Sequence, residues 1–291
     1  MKLGMVGLGR MGGNMAERLR RAGHEVVGYD RDPKVSDVAS LPDLVEALGD
    51  PPRAVWVMVP AGEPTRATIA ALALLLSAHD LVADGGNSNY RESITRSQEL
   101  AEGGIAFLDV GVSGGIWGLE NGYGLMVGGR PEHYEILEPV LLALAPPEGG
   151  LAHVGPSGAG HFTKMVHNGV EYGLMQAYAE GYELLAASDL GIDVQGAIDA
   201  WRYGTVIRSW LLELLHLALV DDAALEHVKG WAEDSGEGRW TVEEAVRLAV
   251  PAPAITAALY ARFASRQDDS PAMKVIAALR QQFGGHTAVQ L

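Results

Sequence analysis

The sequence predicts an α/β protein in which a Rossmann-like, doubly wound parallel sheet is followed by an all-α domain. From Met1 to about Val154, short β-rich runs alternate with helical stretches, which is typical of parallel strands joined by crossover helices. A glycine-rich motif stands between the first strand and the first helix. Beyond Gly160 the sequence favours helices separated by Gly and Pro. We therefore expect a boundary near Gly155, with a sheet domain over 1–155 and a helical domain over 156–291.

Five apolar runs have the length and composition of buried strands. They are Lys2–Val6, Glu25–Tyr29, Ala54–Val59, Leu81–Asp84 and Ile105–Val110. Met11–Ala22 and Arg91–Ala101 fit crossover helices, because the glycines that follow them mark helix ends. From His161 to about Ser188 the sequence lacks proline and predicts one long helix.

Composition and charge limit the classes of function. Of the 291 residues, 48% are hydrophobic and 20% are charged, which suits an ordinary globular protein with a large core. The absence of cysteine excludes disulfides and thiolate metal sites, and it suits the cytoplasm. No apolar run reaches the ~20 residues that span a bilayer, so no membrane partner is expected. The formal charge of −15 opposes binding to nucleic acid, and it requires a local cluster of cations if the substrate is an anion.

Gly7, Gly9 and Gly12 form a G-x-G-x-x-G motif at the end of the first predicted strand. Glycines there allow a close approach of the backbone, and the N–H groups and dipole of the following helix can hold a pyrophosphate. A purely structural glycine turn has the same pattern. The strand, the helix and a later acidic residue, Asp30, favour a dinucleotide site.

Asp30 closes the second predicted strand. A carboxylate there can accept hydrogen bonds from both ribose hydroxyls and repels a 2′-phosphate, which favours NAD. The guanidinium of Arg31 can grip a 2′-phosphate, so NADP stays possible. The expected cofactor contacts are Gly7, Leu8, Gly9, Arg10, Met11, Gly12, Asp30, Arg31, Val59, Pro60, Ala61 and Asn87.

The long predicted helix carries polar residues at i, i+3, i+4 and i+7, namely Lys164, His167, Asn168 and Glu171. This spacing puts all four on one helix face. The rise per residue separates the backbones of Lys164 and Glu171 by ~10 Å, so their side chains can reach opposite ends of a small molecule.

Apolar residues occupy the rest of this helix. They are Phe162, Met165, Val166, Val170 and Leu174. This pattern indicates a helix buried almost all round, although a solvated, salt-bridged stripe is the alternative. Burial would lower the pKa of Lys164 and make its amine a general base, and Glu171 could then be the acid.

These motifs resemble those of 6-phosphogluconate dehydrogenases. The run Gly158–Tyr172, GAGHFTKMVHNGVEY, resembles the signature segment of that family and differs from the shorter lysine motif of general β-hydroxyacid dehydrogenases. Further segments resemble the family in the same order, namely Asp84–Tyr90, Val112–Gly115, Ile207–Trp210, Asp234–Thr241 and Phe283–His286. The resemblance covers essentially the whole chain, which has the length of the short bacterial form.

The resemblance implies oxidative decarboxylation of 6-phosphogluconate, with a nicotinamide dinucleotide and without a metal. Lys164 would take the proton of the C3 hydroxyl. After carbon dioxide leaves, Glu171 would protonate C1 of the enediol that remains. The residues that would hold the carboxylate and hydroxyls of the sugar acid are Asn87, Ser113, Gly114, Gly115, His167 and Asn168.

The resemblance also supplies candidates for the cationic cluster. Tyr172, Arg262, Arg280 and His286 match phosphate ligands of the family, although each arginine taken singly is as well explained by a surface ion pair. In the family, the tail that carries the last two completes the site of a neighbouring subunit. The resemblance therefore implies a homo-oligomer, either a dimer or a tetramer.

The chain departs from the family near Gly236–Arg239. The long form carries an additional lysine before this segment, and Arg239 could take its place. Thr241–Glu244 has the pattern of a capping box, so Trp240 and Thr241 are expected to serve structure by opening the next helix.

Two other functions stay open from the sequence. Another β-hydroxyacid dehydrogenase, of the 3-hydroxyisobutyrate or tartronate semialdehyde type, would share the glycine loop and Lys164. It has no evident need for the acid Glu171 or for a phosphate clamp at Arg280 and His286. A dinucleotide-binding sensor without chemistry would need neither Lys164 nor Glu171.

Overall fold

A computed structural model describes residues 1–284 and contains a seven-stranded sheet followed by helices, which confirms the predicted fold class. The strands are β1 (Lys2–Val6), β2 (Glu25–Tyr29), β3 (Ala54–Val57), β4 (Leu81–Asp84), β5 (Ala106–Ser113), β6 (Gly124–Gly129) and β7 (Leu151–Gly155). The helices of the first half are α1 (Arg10–Arg21), α2 (Leu41–Leu48), α3 (Glu63–Ala73), α4 (Tyr90–Glu102), α5 (Gly118–Asn121) and α6 (Pro131–Leu144).

The helices that follow the sheet begin with a long one of 28 residues. They are α7 (Ala159–Ala186), α8 (Val194–Trp201), α9 (Trp210–Asp221), α10 (Glu237–Arg247), α11 (Pro253–Ala264) and α12 (Pro271–Gly284). The chain divides into two compact units, Met1–His167 and Asn168–Leu291, and the division falls inside α7.

The sheet has the order β2-β1-β3-β4-β5-β6-β7, and β1 to β5 are parallel. One edge of the sheet departs from the parallel arrangement, because β6 runs antiparallel to β5 and β7 runs parallel to β6. The segment 114–123 between β5 and β6 is too short for a crossover that would make them parallel. Neither β6 nor β7 was predicted, because β6 is rich in glycine and β7 is largely exposed.

Helices cover both faces of the sheet. On one face, α1 and α6 pack through side chains such as Met15, Leu19 and Leu141. On the other, Leu44 and Leu72 belong to the cluster that α2, α3 and α4 build against the strands. Each of these large apolar side chains contributes ~1.5–3 kcal/mol by leaving water. Because β1 to β5 are parallel, their carboxyl ends lie at one edge of the sheet, where ligands of such folds bind.

The long helix α7 is not buried almost all round, contrary to the sequence prediction. Its buried side carries Met165 and Tyr172, whereas Val166, Val170 and Leu174 are 36%, 48% and 44% exposed. These three recur at i, i+4 and i+8, so they form one apolar stripe on a face away from the buried side. The sequence pattern could not distinguish an apolar residue facing the core of its own chain from one facing outward.

In the second unit, one small core joins α7, α10 and α11 around Tyr172 and Leu259. The expected capping box at Thr241 is wrong, because α10 begins at Glu237, after Gly236 with φ of +107°. Thr241 lies inside the helix, where its hydroxyl donates to the carbonyl of Glu237 at 2.8 Å.

The side chains at 271–282 of α12 are all exposed. None of the helices within residues 1–284 combines the length and the apolar character that crossing a membrane requires.

The stability of the sheet at its amino edge depends on a buried ion pair. Asp80 precedes β4 and accepts hydrogen bonds from the Arg53 side chain at 2.6 Å and from the N–H groups of Arg53 and Ser77. Burial would raise the pKa of Asp80, but these hydrogen bonds outweigh burial and hold its pKa below the ordinary value.

We expect Asp80→Asn to lower the free energy of unfolding by about 3 kcal/mol at pH 7, because it leaves a buried guanidinium without its charge partner. A depressed folded-state pKa means that the stabilisation is full above about pH 4 and is lost as the pH falls through the folded pKa. The difference between the two proteins, measured by urea unfolding, should therefore shrink toward pH 3. Glu63→Gln, which breaks the exposed pair with Arg66, should cost less than about 1 kcal/mol. Equal losses in both variants would contradict this account.

Candidate active site

The loop between β1 and α1 is shaped for a close approach to a ligand. Gly7 has φ of +93°, and a Cβ added at Gly12 would collide with the Gly7 carbonyl oxygen. A Cβ at Gly9 would meet nothing within 4 Å, so the space in front of the loop is open. A helix leaves its first N–H groups without partners inside the helix, so those of α1 are available to a ligand at this loop. The loop therefore fits the pyrophosphate of a dinucleotide.

Asp30 connects the end of β2 to this loop. One carboxylate oxygen accepts the Leu8 N–H at 2.7 Å, and the other accepts the Asp32 N–H at 2.9 Å. Each oxygen retains a lone pair for a ribose hydroxyl. The neighbouring Arg31 is exposed. The structure thus brings the expected cofactor residues of β1 and β2 together.

The ends of β3 and β4 supply the remaining expected cofactor residues of this edge. Val59 is half-buried, and Pro60 and Ala61 are exposed after β3. Asn87 is exposed between buried neighbours in the loop after β4. Asp84 fixes that loop, because its carboxylate accepts hydrogen bonds from Ser88 at 2.9 Å and from Arg96 at 3.0 Å.

The segment after β5 carries Ser113, Gly114 and Gly115. The two glycines have φ of +128° and +54°, conformations that a side chain would strain. The ring of Tyr123 lies beneath this segment, so that a Cβ at Gly118 would collide with it. The Tyr123 hydroxyl is fully buried without a hydrogen-bond partner among the described residues, and burial raises its pKa to about 12.

The start of α7 is anchored to the sheet by Asp109 of β5. Its carboxylate is fully buried and accepts the N–H groups of Gly158 at 2.6 Å and of His161 at 2.9 Å. A negative group at a helix N-terminus is stabilised by the helix dipole as well as by these hydrogen bonds. The helix then passes close to β5, because Gly111 has no side chain where a Cβ would meet that of Lys164.

This anchoring brings three expected site residues together. The Lys164 amine lies 3.5 Å from Nδ1 of His167, and Nε2 of the same ring lies 3.5 Å from the Ser113 hydroxyl. His167 is exposed and Lys164 is half-buried, so a ligand can reach both. The arrangement offers an amine, an imidazole and a hydroxyl to one small polar molecule.

In the second unit, α7 continues with Asn168, Glu171 and Tyr172, the first two of which are half-buried. Tyr172 is buried, and its ring lies 3.4 Å from the guanidinium carbon of Arg262, a cation–π contact. Arg262 also donates to the carbonyl of Glu233 at 2.8 Å. The structure therefore brings together two of the four expected phosphate ligands.

The remaining candidates for the phosphate end make no direct contact with Tyr172 or Arg262 among the interactions described, or lie outside the described residues. Arg239 is paired with Asp234 at 2.6 Å. Arg280 is exposed on α12, and His286 lies beyond the residues that the structure describes.

Three supporting residues were missed in the sequence, namely Asp84, Asp109 and Tyr123. Their signal was weak. Asp109 stands inside an apolar strand and Asp84 ends one, which is unusual for a charged residue in a core unless it is paired. Across residues 1–284, no three His, Asp or Glu side chains are grouped so as to hold a metal ion.

Comparisons with known proteins agree along the whole chain. Residues 2–155 match the family described as the NAD binding domain of 6-phosphogluconate dehydrogenase, and residues 160–284 match the C-terminal domain of that enzyme. A Haloferax volcanii protein named NAD(+)-dependent, decarboxylating 6-phosphogluconate dehydrogenase is 44% identical over 98% of each chain.

Two solved structures are similar to this chain. The 6-phosphogluconate dehydrogenase of Plasmodium falciparum is 26% identical, with a TM-score of 0.84, over 100% of this chain and 66% of that chain. The 3-hydroxyisobutyrate dehydrogenase of Mycobacterium tuberculosis is 25% identical, with a TM-score of 0.73, over 96% of this chain and 99% of that chain.

The buried hydroxyl of Tyr123 predicts an unusual stability profile. Tyr123→Phe should be as stable as the wild type or up to about 1 kcal/mol more stable at pH 7, because it removes an unpaired polar group. A raised pKa means that the folded protein resists ionisation, so the wild type should lose stability between about pH 10 and pH 12 relative to Tyr123→Phe. Urea unfolding against pH measures this difference. The exposed Tyr260 supplies the control, since Tyr260→Phe should follow the wild type. Parallel curves for Tyr123→Phe and the wild type would contradict the prediction.

Proposed function

The chain belongs to the 6-phosphogluconate dehydrogenase family, and we propose that it oxidises and decarboxylates 6-phosphogluconate to ribulose 5-phosphate with reduction of NAD. The observation that carries this proposal is the contact of Lys164 with His167, and of His167 with Ser113, at the edge of the sheet that also carries the glycine loop. The resemblance found in the sequence is confirmed by the two family matches. The matched ranges also support a boundary near Gly155, with a dinucleotide-binding domain over 1–155 and a substrate domain over 156–291.

In this proposal Lys164 starts the reaction as a neutral amine. It takes the proton of the C3 hydroxyl as the hydride leaves that carbon, while Ser113 and His167 hold the neighbouring oxygens of the sugar acid. A bound nicotinamide would supply the hydride acceptor. The product of this step carries a ketone β to the carboxylate.

The β-keto acid then loses carbon dioxide. The electrons of the broken bond pass to the C3 carbonyl, and Lys164, now an ammonium, stabilises the negative charge on that oxygen. Glu171 delivers a proton to C1 of the resulting enediol. The ~10 Å of helical rise between Lys164 and Glu171 lets one helix serve both steps.

Binding of the substrate depends on polar groups at both of its ends. Asn87, Gly114, Gly115 and Asn168 join Ser113 and His167 around the carboxylate and hydroxyls. A Gly-Gly pair suits this role, because it lets the backbone approach a ligand closely.

At the phosphate end we place Tyr172, Arg262, Arg280 and His286. The cation–π contact orients the guanidinium of Arg262, whose planar fork suits a phosphate. Arg239 could take the place of the additional lysine of the long form, but its ion pair with Asp234 makes it a weaker candidate than Arg262.

The preference for NAD follows from Asp30. Its carboxylate is fixed against the Leu8 N–H, so a 2′-phosphate at this point would meet a negative charge that cannot move away. The name of the Haloferax volcanii relative agrees with NAD. Arg31 is exposed and could turn toward a 2′-phosphate, which makes NADP the second candidate.

The main rival is a 3-hydroxyisobutyrate dehydrogenase, because the Mycobacterium tuberculosis enzyme has the same fold over nearly all of the chain. That activity needs no phosphate ligand and no acid to protonate an enediol. The match of residues 160–284 to the C-terminal domain of 6-phosphogluconate dehydrogenase favours the decarboxylating reaction.

A homo-oligomer, most simply a dimer, completes the proposal. Val166, Val170 and Leu174 leave an apolar stripe of α7 exposed, and every described side chain of α12 is exposed. Apolar surface of this extent favours association with a second copy. Docking of α12 on that copy would bring Arg280 to its phosphate end.

The reaction is tested by initial rates with 6-phosphogluconate and with NAD or NADP, together with trapping of carbon dioxide. We expect one carbon dioxide for each reduced cofactor and a higher kcat/KM with NAD. Lys164→Met should lose at least about 1,000-fold in kcat while NADH binding, followed by fluorescence titration, stays within a few-fold. Oxidation of 3-hydroxyisobutyrate without release of carbon dioxide would instead establish the rival.

Arg280→Ala tests the role of the tail. Loss of the guanidinium should raise KM for 6-phosphogluconate by at least about 10-fold and leave KM for gluconate nearly unchanged, because only the phosphorylated substrate uses it. Arg247→Ala, on α10, is a matched control and should alter neither KM. Equal effects of Arg280→Ala on both substrates would remove Arg280 from the phosphate end.

A further inference from the structure

His161 is a buried histidine that the proposed reaction does not use. It is 1% exposed and lies one turn before Lys164 on α7. Its Nδ1 lies 2.7 Å from the hydroxyl of Ser93 on α4, and its Nε2 is buried without a hydrogen-bond partner among the described residues. The hydrogen bond of this buried imidazole therefore links α7 to α4.

The contact continues to the start of α4. The Ser93 hydroxyl lies 3.4 Å from the carbonyl of Asn89, and it can donate there while it accepts Nδ1–H of His161. This tautomer leaves no buried N–H of the ring without an acceptor, whereas the other tautomer leaves Nε2–H unpaired. The asymmetry favours a directed chain from His161 through Ser93 to Asn89.

A second contact reinforces the first. The ring of Phe162, which follows His161, packs edge to face on the ring of Tyr90 with centroids 5.0 Å apart. Tyr90 is the first residue of α4, and Asn89 caps that helix by accepting the Arg91 N–H. Two adjacent residues of α7 therefore contact two residues in the first turn of α4, Tyr90 and Ser93.

Proposed substrate residues lie at both ends of this connection. Asn87 stands two positions before Asn89, in the loop that Asp84 fixes through Ser88. Lys164 stands three positions after His161 on the same helix. The path between them runs through the buried side chains of His161 and Ser93, so a change at His161 would shift Asn87 relative to Lys164.

We propose that His161 is a positioning residue, which sets the distance between Asn87 and Lys164 through its Nδ1 hydrogen bond to Ser93. The inference rests on the proposed function, since that function gives both residues a role. Reacting groups must be held within a few tenths of an ångström, and a displacement of 1 Å can cost about 100-fold in rate. His161 therefore contributes to kcat without touching the substrate.

Three variants separate positioning from mere stability. His161→Gln places an amide near Nε2 and removes the group at Nδ1, whereas His161→Asn retains a donor near Nδ1. Ser93→Ala removes the partner hydroxyl and little else. Ser97→Ala is the matched control, because Ser97 also lies on α4 and contacts a hydroxyl, that of Ser157, at 2.9 Å.

We expect His161→Gln and Ser93→Ala to lower kcat with 6-phosphogluconate by about 10- to 100-fold, with KM for NAD within about 2-fold of wild type. His161→Asn should recover kcat to within about 3-fold, and Ser97→Ala should match the wild type. The kinetic isotope effect with substrate deuterated at C3 should rise in His161→Gln, since misplacement slows hydride transfer. The Tm of each variant is measured by thermal unfolding, and each rate is then divided by the concentration of folded enzyme at the assay temperature.

The proposal is wrong if His161→Gln lowers Tm but leaves kcat and the isotope effect unchanged, because the residue is then structural only. It is equally wrong if His161→Asn and His161→Gln lose the same activity. Failure of the proposed function would look different, since the wild type itself would not turn over 6-phosphogluconate. The same variants are then compared on the β-hydroxy acid that the wild type oxidises, with the same two outcomes.

Discussion

The carboxylate of Asp109 is the interaction on which the site depends. It lies in the middle of the sheet without exposure to water, and it accepts the N–H groups of Gly158 and His161 at the start of α7. A charge-assisted hydrogen bond of this kind contributes about 1.5–3 kcal/mol, and a buried carboxylate without such donors would be far more costly. These hydrogen bonds fix the start of α7 on the sheet, and the helix then carries Lys164 and His167 past β5 and Ser113.

The antiparallel edge of the sheet positions the segment that carries Ser113 and Gly114. Because β6 turns back against β5, the segment with Ser113 and Gly114 is a tight connection and does not lead into a long crossover. The ring of Tyr123 fills the space beneath it. Glycine is needed where backbones pass closely, as at Gly111 against α7. The part of the candidate site in the first unit is thus built on the sheet and the start of α7, which suits precise placement of its side chains.

The net charge of the protein and the charge of the proposed phosphate end have opposite signs. A net charge of −15 keeps the surface acidic, so an anionic substrate is held only where cations are concentrated. The second unit supplies Arg262 against Tyr172, and the exposed α12 carries Arg280. An arginine fixed over an aromatic ring loses less conformational entropy on binding than a free side chain would. In the proposed function, these arginines would form the phosphate end of the substrate site.

The sequence by itself determined the class of fold, the glycine loop, Asp30 and the polar spacing on α7, because local periodicity and short motifs carry these features. Four of the five predicted strands agree with the structure within two residues, and the fifth begins one residue later and ends three residues later than predicted. The sequence could not determine β6, the start of α10 at Glu237 or the exposed stripe at Val166, because each depends on contacts between distant segments. Only the tertiary structure decided that Asp109 caps α7 and that His161 reaches Ser93. The physical reason is that a buried polar group must find its partner wherever the fold places one, and no local pattern in the chain records that place.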